Sequence, residues 1–310
     1  MKVLVISGFL GAGKTTFLKE LAHRTHRDFA VMENEYGEVG IDGCVLEQDN
    51  SQEKLNIWEL TEGCICCSRK SDFATSVLTI ANTVDPEFLI VEPTGVGMLS
   101  KVLENIQKIQ YERISLLAPV TVVDGHSFDR YSREFPEIFR DQLAAAGTVV
   151  VSKMEGAARE ELEELGAKIR EICPKGDILV EHYGKSPDSW WDSILRKDLS
   201  GEIQQASQQE AELENLGLTD VSLESPDQLL MLLNGVVSGV FGNVVRAKGY
   251  LQAGSAWLRF DAADRLWSVT GSAPMPDSRA VFIGTNLRRS LLREALQPEL
   301  TVEVGKRGRR

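Results

Sequence analysis

The chain has 310 residues, 43% of them hydrophobic and 26% charged, and a formal net charge of -12. The length points to more than one domain and the composition to an ordinary folded protein. The negative balance weighs against a nucleic-acid or anionic-membrane binder, and no apolar run approaches the length of a membrane span.

Three of the five cysteines crowd into four positions, which does not resemble a secreted disulfide framework. Met1-Lys2-Val3 runs straight into an apolar strand, so a cytoplasmic protein is expected. The basic end, Lys306-Arg307-Gly308-Arg309-Arg310, reads as a solvated tail.

In chain order, Val3-Leu4-Val5-Ile6 reads as a buried parallel strand, and Phe17, Leu18 and Leu21 fall at helical spacing after Thr16. Between them Gly8-Phe9-Leu10-Gly11-Ala12-Gly13-Lys14-Thr15 matches the GxxxxGK[ST] phosphate loop in full. The glycines Gly8, Gly11 and Gly13, with Ala12, let backbone N–H groups point inward at phosphate oxygens. The helix N-terminus, entered through Thr15 and Thr16, favours the negative charge. Lys14 supplies a point charge at the β and γ phosphates, and Thr15 is the magnesium residue. A nucleoside triphosphate with magnesium is therefore expected.

The strand Phe29–Met32 leads into Glu33-Asn34-Glu35-Tyr36-Gly37-Glu38, an acidic loop whose plain alternative is a solvated turn. The strand Leu55–Trp58 leads into Cys64-Ile65-Cys66-Cys67. Thiolates bind zinc and other soft or borderline divalent metals, but adjacent cysteines do not easily all ligate one tetrahedral ion. Cys64, Cys66 and Cys67 therefore need outside ligands, and Glu33 and Glu38 are the candidates. The alternatives are packing residues or a redox pair, which adjacent cysteines form poorly.

A helix near 70–83 and the strand Phe88–Val91 precede Glu92-Pro93-Thr94-Gly95. Glu92 can reach the magnesium shell through water and Gly95 can offer its N–H to the γ phosphate; a simple strand-ending turn is the other choice. A helix near 98–109 and strands Val120–Val123, Thr148–Val151 and Ile178–Val180 follow, with a helix near 156–172 between the last two. This alternation builds an α/β domain, a P-loop NTPase fold with a mostly parallel sheet and its chemistry at one edge.

Residues 1–196 form that domain, and 197–226, rich in Glu, Gln, Ser and Asp, read as a polar linker. Residues 227–310 form a small α+β C-terminal domain: a helix near 227–238, strands near 244–252, 256–261, 265–270 and 280–285, and a helix over 287–296. Trp190-Trp191 cap the core or face the second domain. Cys44 and Cys173 read as packing residues and His23 and His26 as exposed helix surface. His126, at a strand end, can lie near the nucleotide, while His182 joins no constellation.

Gly8 to Thr16, Glu33 to Asp42, Gly63 to Cys67 and Glu92 to Gly95 resemble the CobW-type P-loop GTPases, relatives of HypB and UreG. The resemblance continues through Arg246-Ala247-Lys248-Gly249-Tyr250-Leu251 and Ala280-Val281-Phe282-Ile283-Gly284, leaving the linker unmatched. It implies a GTPase that loads a transition metal, zinc or cobalt, into a client metalloprotein or a metal cofactor pathway. In that family Glu33 to Asp42 corresponds to the switch loop, Cys64, Cys66 and Cys67 to the metal motif, and Glu92 to the magnesium carboxylate. A nucleotide-gated client chaperone that carries no metal is the alternative, and a homodimer is left open.

Guanine is usually read by Asn-Lys-x-Asp, and the corresponding stretch here is Ser152-Lys153-Met154-Glu155. Lys153 can cover the base and Glu155 can accept from guanine N–H groups. Ser152 cannot copy an amide's paired donor and acceptor, so ATP stays open.

Overall fold

The computed structural model describes residues 1–34, 57–59, 72–204, 213–263 and 265–297, which fall into two compact units, one up to residue 204 and one from residue 213.

In the first unit β1 (Lys2–Ser7), β2 (Phe29–Asn34), β3 (Ile57–Glu59), β4 (Phe88–Pro93), β6 (Val120–Asp124), β7 (Thr148–Ser152) and β8 (Asp177–Leu179) pair in the order β3-β2-β4-β1-β6-β7-β8, with β5 (Ser115–Leu116) beside β1. Every pairing among the described residues of this sheet is parallel. Parallel strands need crossovers, supplied by α1 (Lys14–Thr25), α2 (Asp72–Thr83), α3 (Leu99–Gln107), α4 (Phe128–Glu134), α5 (Pro136–Ala144) and α6 (Arg159–Ile172). A last helix, α7 (Asp188–Ile194), follows β8.

Both faces of the sheet are covered, which explains the continuous apolar runs of its strands. On β1, Leu4 and Ile6 join a core with Phe17, Leu21 and Trp191, while Val3 and Val5 join one with Val77, Leu99 and Leu103. The common direction also brings the ends of β1, β4, β6 and β7 to one edge, as the alternation of strand and helix predicts.

Some expectations shift. Trp191, on α7, is fully buried against Phe17 and Tyr183, so it caps the first unit's core. Helices α4 and α5, between β6 and β7, were not legible in the sequence: α4 spans only seven residues, too few to show a clear apolar period.

The polar stretch 197–226 is not all linker. Leu199 and Ile203 pack on the first unit, and the Leu199 N–H donates to the Leu116 carbonyl at 2.9 Å. β9 (Glu214–Thr219) and β10 (Ser222–Leu223) belong to the second sheet. Only Leu216 and Leu218 carry the strand alternation of β9, a signal that the surrounding polar residues mask, yet both are buried.

The second unit is an α+β body. Its sheet runs β13-β12-β11-β14-β9, built from β11 (Asn243–Ala253), β12 (Ala256–Ala263), β13 (Leu266–Gly271) and β14 (Arg279–Thr285) along with β9, while β10 pairs with β11. Leu229, Leu233 and Val236 of α8 (Pro226–Val237) and Leu292 and Leu296 of α9 (Arg289–Leu296) share a core with Ala247, Leu251, Phe260 and Phe282. No described helix is long and apolar enough to cross a membrane.

Candidate functional site

The phosphate loop leaves β1 at Gly8. Gly8, Gly11 and Gly13 have φ values of +143°, +75° and +94°, which L side chains rarely adopt. Gly13 caps α1 in the left-handed region, and its carbonyl accepts the first helical bond from the Phe17 N–H at 2.9 Å. The exposed Thr15 and Thr16 stand in the first turn, where a helix offers unpaired N–H groups.

Lys14 is buried, and its Nζ donates to the Gly8 carbonyl at 3.2 Å. The same ammonium lies 3.6 Å from Glu92 Oε1 at the end of β4. The buried charge therefore sits inside the loop, held by acceptors that a phosphate can replace. Gly95 explains itself by proximity: a Cβ there would lie 2.7 Å from the Leu10 nitrogen, so only glycine lets the post-β4 turn touch the phosphate loop. Glycines at positive φ, a buried ammonium, an exposed hydroxyl at a helix N-terminus and a nearby carboxylate fit a magnesium-bound triphosphate.

Gln142, on α5, has no sequence signal for a role here, yet its buried amide donates to the Gly95 carbonyl at 3.1 Å and the Gly97 carbonyl at 2.9 Å. Thr121 Oγ1 of β6 donates in turn to the Gln142 carbonyl at 2.8 Å. Gln142 thus staples the turn after Glu92 to the sheet. Gln142→Ala leaves two carbonyls without this donor and is expected to cost about 1–3 kcal/mol, read as a lower guanidinium midpoint. An unchanged midpoint would refute the staple.

Across the edge, Asp124 ends β6 with its carboxylate tied to the His126 and Ser127 N–H groups at 3.0 and 3.3 Å. Lys153 Nζ pairs with Asp124 Oδ2 at 2.9 Å, and Lys153 itself takes φ +61°. The exposed His126 thus stands beside this pair. Ser152 takes a role that its residue type did not reveal. Its buried Oγ lies 2.6 Å from the Ala12 carbonyl and 3.2 Å from that of Val123. Its single proton bonds the nearer acceptor and ties β7 to the phosphate loop. Glu155 pairs with His182, whose Nε2 lies 2.9 Å from Glu155 Oε1, so His182 does have a partner.

The metal candidates are reached only in part. The β2–β4 register sets Glu33 beside Glu92, whereas Glu38, Cys44, Cys64, Cys66 and Cys67 lie outside the described residues. Among the described residues no three His, Cys, Asp or Glu side chains gather as a metal site. His23 and His26 are exposed on α1 and just after it, as expected of helix surface. Cys173 is buried, and burial pushes its thiol pKa up, as suits a packing residue.

Residues 2–180 match the family described as CobW/HypB/UreG, nucleotide-binding domain, and residues 222–299 match the cobalamin synthesis protein cobW C-terminal domain. The chain is 28% identical to the zinc chaperone YeiR of Escherichia coli (strain K12), over 91% of this chain and 92% of the relative. It is also 28% identical to the zinc chaperone YjiA of the same organism, over 94% and 96% of the two chains. Similarity to the zinc-regulated GTPase metalloprotein activator 1 of Dictyostelium discoideum is 25% identity, over 81% of this chain and 62% of that protein.

Proposed function

The chain belongs to the CobW/HypB/UreG family, and from that premise we propose that it is a GTP-hydrolysing metallochaperone that couples its nucleotide state to the transfer of zinc or cobalt to a client metalloprotein. The observation that carries the nucleotide half is Lys14, buried in a glycine loop and 3.6 Å from Glu92. When a triphosphate enters, the ammonium exchanges the Gly8 carbonyl for phosphate oxygens, and the Gly95 N–H stands at the neighbouring turn. Magnesium, held through Thr15 and by Glu92 across a water, would neutralise phosphate charge. Lys153 and Glu155 take the base.

The metal half rests on residue chemistry and on the family. Cys64, Cys66 and Cys67 offer thiolates, with Glu33 and Glu38 as carboxylate partners, and zinc or cobalt is cargo rather than a resident cofactor. Glu33 borders Glu92 in the sheet register, which supports a link between the magnesium carboxylate and the acidic switch segment. In this scheme the first unit, up to residue 204, binds nucleotide and the second, from residue 213, forms the C-terminal domain, with the chain acting in the cytoplasm, alone or as a homodimer.

The test titrates zinc and cobalt into protein held with GTP, with GDP or with neither. Metal affinity is expected to differ about tenfold between the two nucleotide states, within the usual range of coupling energies. Replacing Cys66 and Cys67 by Ser is expected to lower metal affinity by more than about 100-fold, beyond the usual cost of losing an outer-shell group. Metal affinity indifferent to nucleotide sinks the coupling. Unchanged affinity and client activation in the serine variant would leave a nucleotide-gated client chaperone that carries no metal.

A further inference from the structure

Glu155 follows β7 on the same turn as Lys153, and its side chain is 60% exposed. A glutamate has one more rotatable bond than the aspartate usual at such a position, so an exposed carboxylate here loses more freedom when it closes on a base. Its partner is not on its own turn. His182, after β8, places Nε2 2.9 Å from Glu155 Oε1.

The imidazole is itself fixed. Its Nδ1 accepts the Gly184 N–H at 3.1 Å, and the ring stacks on Tyr183 at 4.6 Å between centroids. Tyr183 is buried, edge-on to Phe17 at 5.3 Å and to Trp191 at 5.8 Å. Arg24 of α1 donates to the Gly184 carbonyl at 2.8 Å, tying this turn to the helix that carries the phosphate loop. Because Nδ1 accepts the Gly184 N–H, the ring carries its proton on Nε2 and donates it to Glu155.

We propose that His182 is a positioning residue for base selection: through Nε2 it holds the Glu155 carboxylate in place, leaving its remaining lone pairs to accept guanine N1–H and N2–H. The proposal rests on the assignment of guanine reading to Glu155. Hypoxanthine lacks the N2 amino group, and adenine presents N1 as an acceptor that a carboxylate repels. The ratio of GTP to ATP affinity therefore reports the placed carboxylate, ITP affinity reports the share carried by N1–H alone, and ATP affinity by itself reports the phosphate loop and general stacking.

The experiment measures GTP, ITP and ATP affinities of the full chain for the wild type, His182→Ala, His182→Gln, Glu155→Ala and the double alanine variant. His182→Ala is expected to lower the GTP:ATP ratio about 3- to 10-fold, the usual cost of immobilising one rotamer-rich side chain on binding, with ATP affinity unchanged and ITP, which keeps N1–H, falling with GTP. His182→Gln, which keeps an N–H donor, is expected to restore most of the ratio. Adding His182→Ala to Glu155→Ala is expected to change nothing further.

A GTP:ATP ratio that falls in Glu155→Ala but not in His182→Ala overturns the positioning role and leaves base reading by Glu155 standing. Equal losses for all three nucleotides in His182→Ala also overturn it, because they mark general loosening of the turn. A ratio unmoved by Glu155→Ala overturns base reading by Glu155 and the proposal with it. Should His182→Ala fail to fold, the His182→Gln and Glu155→Ala arms decide: a Gln variant with a ratio as low as Glu155→Ala refutes the role.

Discussion

Lys14→Ala is expected to lower GTP turnover about 10²- to 10³-fold, the range for removing one preorganised donor that stabilises developing charge. The argument starts from burial. The ammonium is 9% exposed and the neighbouring Glu92 side chain 15%, so their interaction with a phosphate is screened far less than at a surface. Removing the ammonium deletes the favourable charge and leaves the Glu92 carboxylate to repel the incoming anion. Affinity for GTP and turnover are therefore both expected to fall. Lys14→Arg keeps the charge but replaces a compact ammonium by a planar fork that the loop was not shaped to hold, so only partial recovery is expected. Steady-state kinetics with a phosphate-release assay checks both variants. Wild-type turnover in Lys14→Ala would remove the phosphate loop from the mechanism.

Gly8→Ala is expected to destabilise the protein by about 3–5 kcal/mol, combining backbone strain with overpacking. The Gly8 φ of +143° already disfavours a side chain, and a Cβ would stand 2.2 Å from the Val122 carbonyl oxygen. Val122 lies mid-strand in β6, paired with Val150 of β7, so its carbonyl cannot withdraw without loosening the centre of the sheet. Gly156→Ala separates the two causes. Gly156 has φ +89° with nothing within 4 Å of a built Cβ, so it carries the strain alone, about 1–2 kcal/mol. Guanidinium unfolding of both variants decides the matter. Equal losses at the two positions would show that the close approach to Val122 costs nothing.

Residue order alone revealed the phosphate loop, because glycines, lysine and threonine at fixed spacing between an apolar strand and a helix are a local pattern with a local cause. The same holds for the parallel sheet, whose doubly buried strands read as short apolar runs such as Val3–Ile6, and for the position of Glu92 and Gly95 at the end of such a run. The α+β character of the C-terminal unit was legible for the same reason. Helix α4 and strand β9 escaped, since seven residues and two buried leucines are too little pattern to rise above their polar neighbours.

The roles of Ser152, Gln142 and His182 were of another kind. Ser152 bonds a carbonyl 140 positions away and Gln142 one 47 positions away, while His182 meets Glu155 only because β7 and β8 are neighbours in the sheet. A serine, a glutamine or a histidine acquires such a task from the group that packing sets beside it. One-dimensional order could therefore single out the residues proposed to meet phosphate, while the side chains that hold this edge of the sheet together were decided by which strands and helices the fold made adjacent.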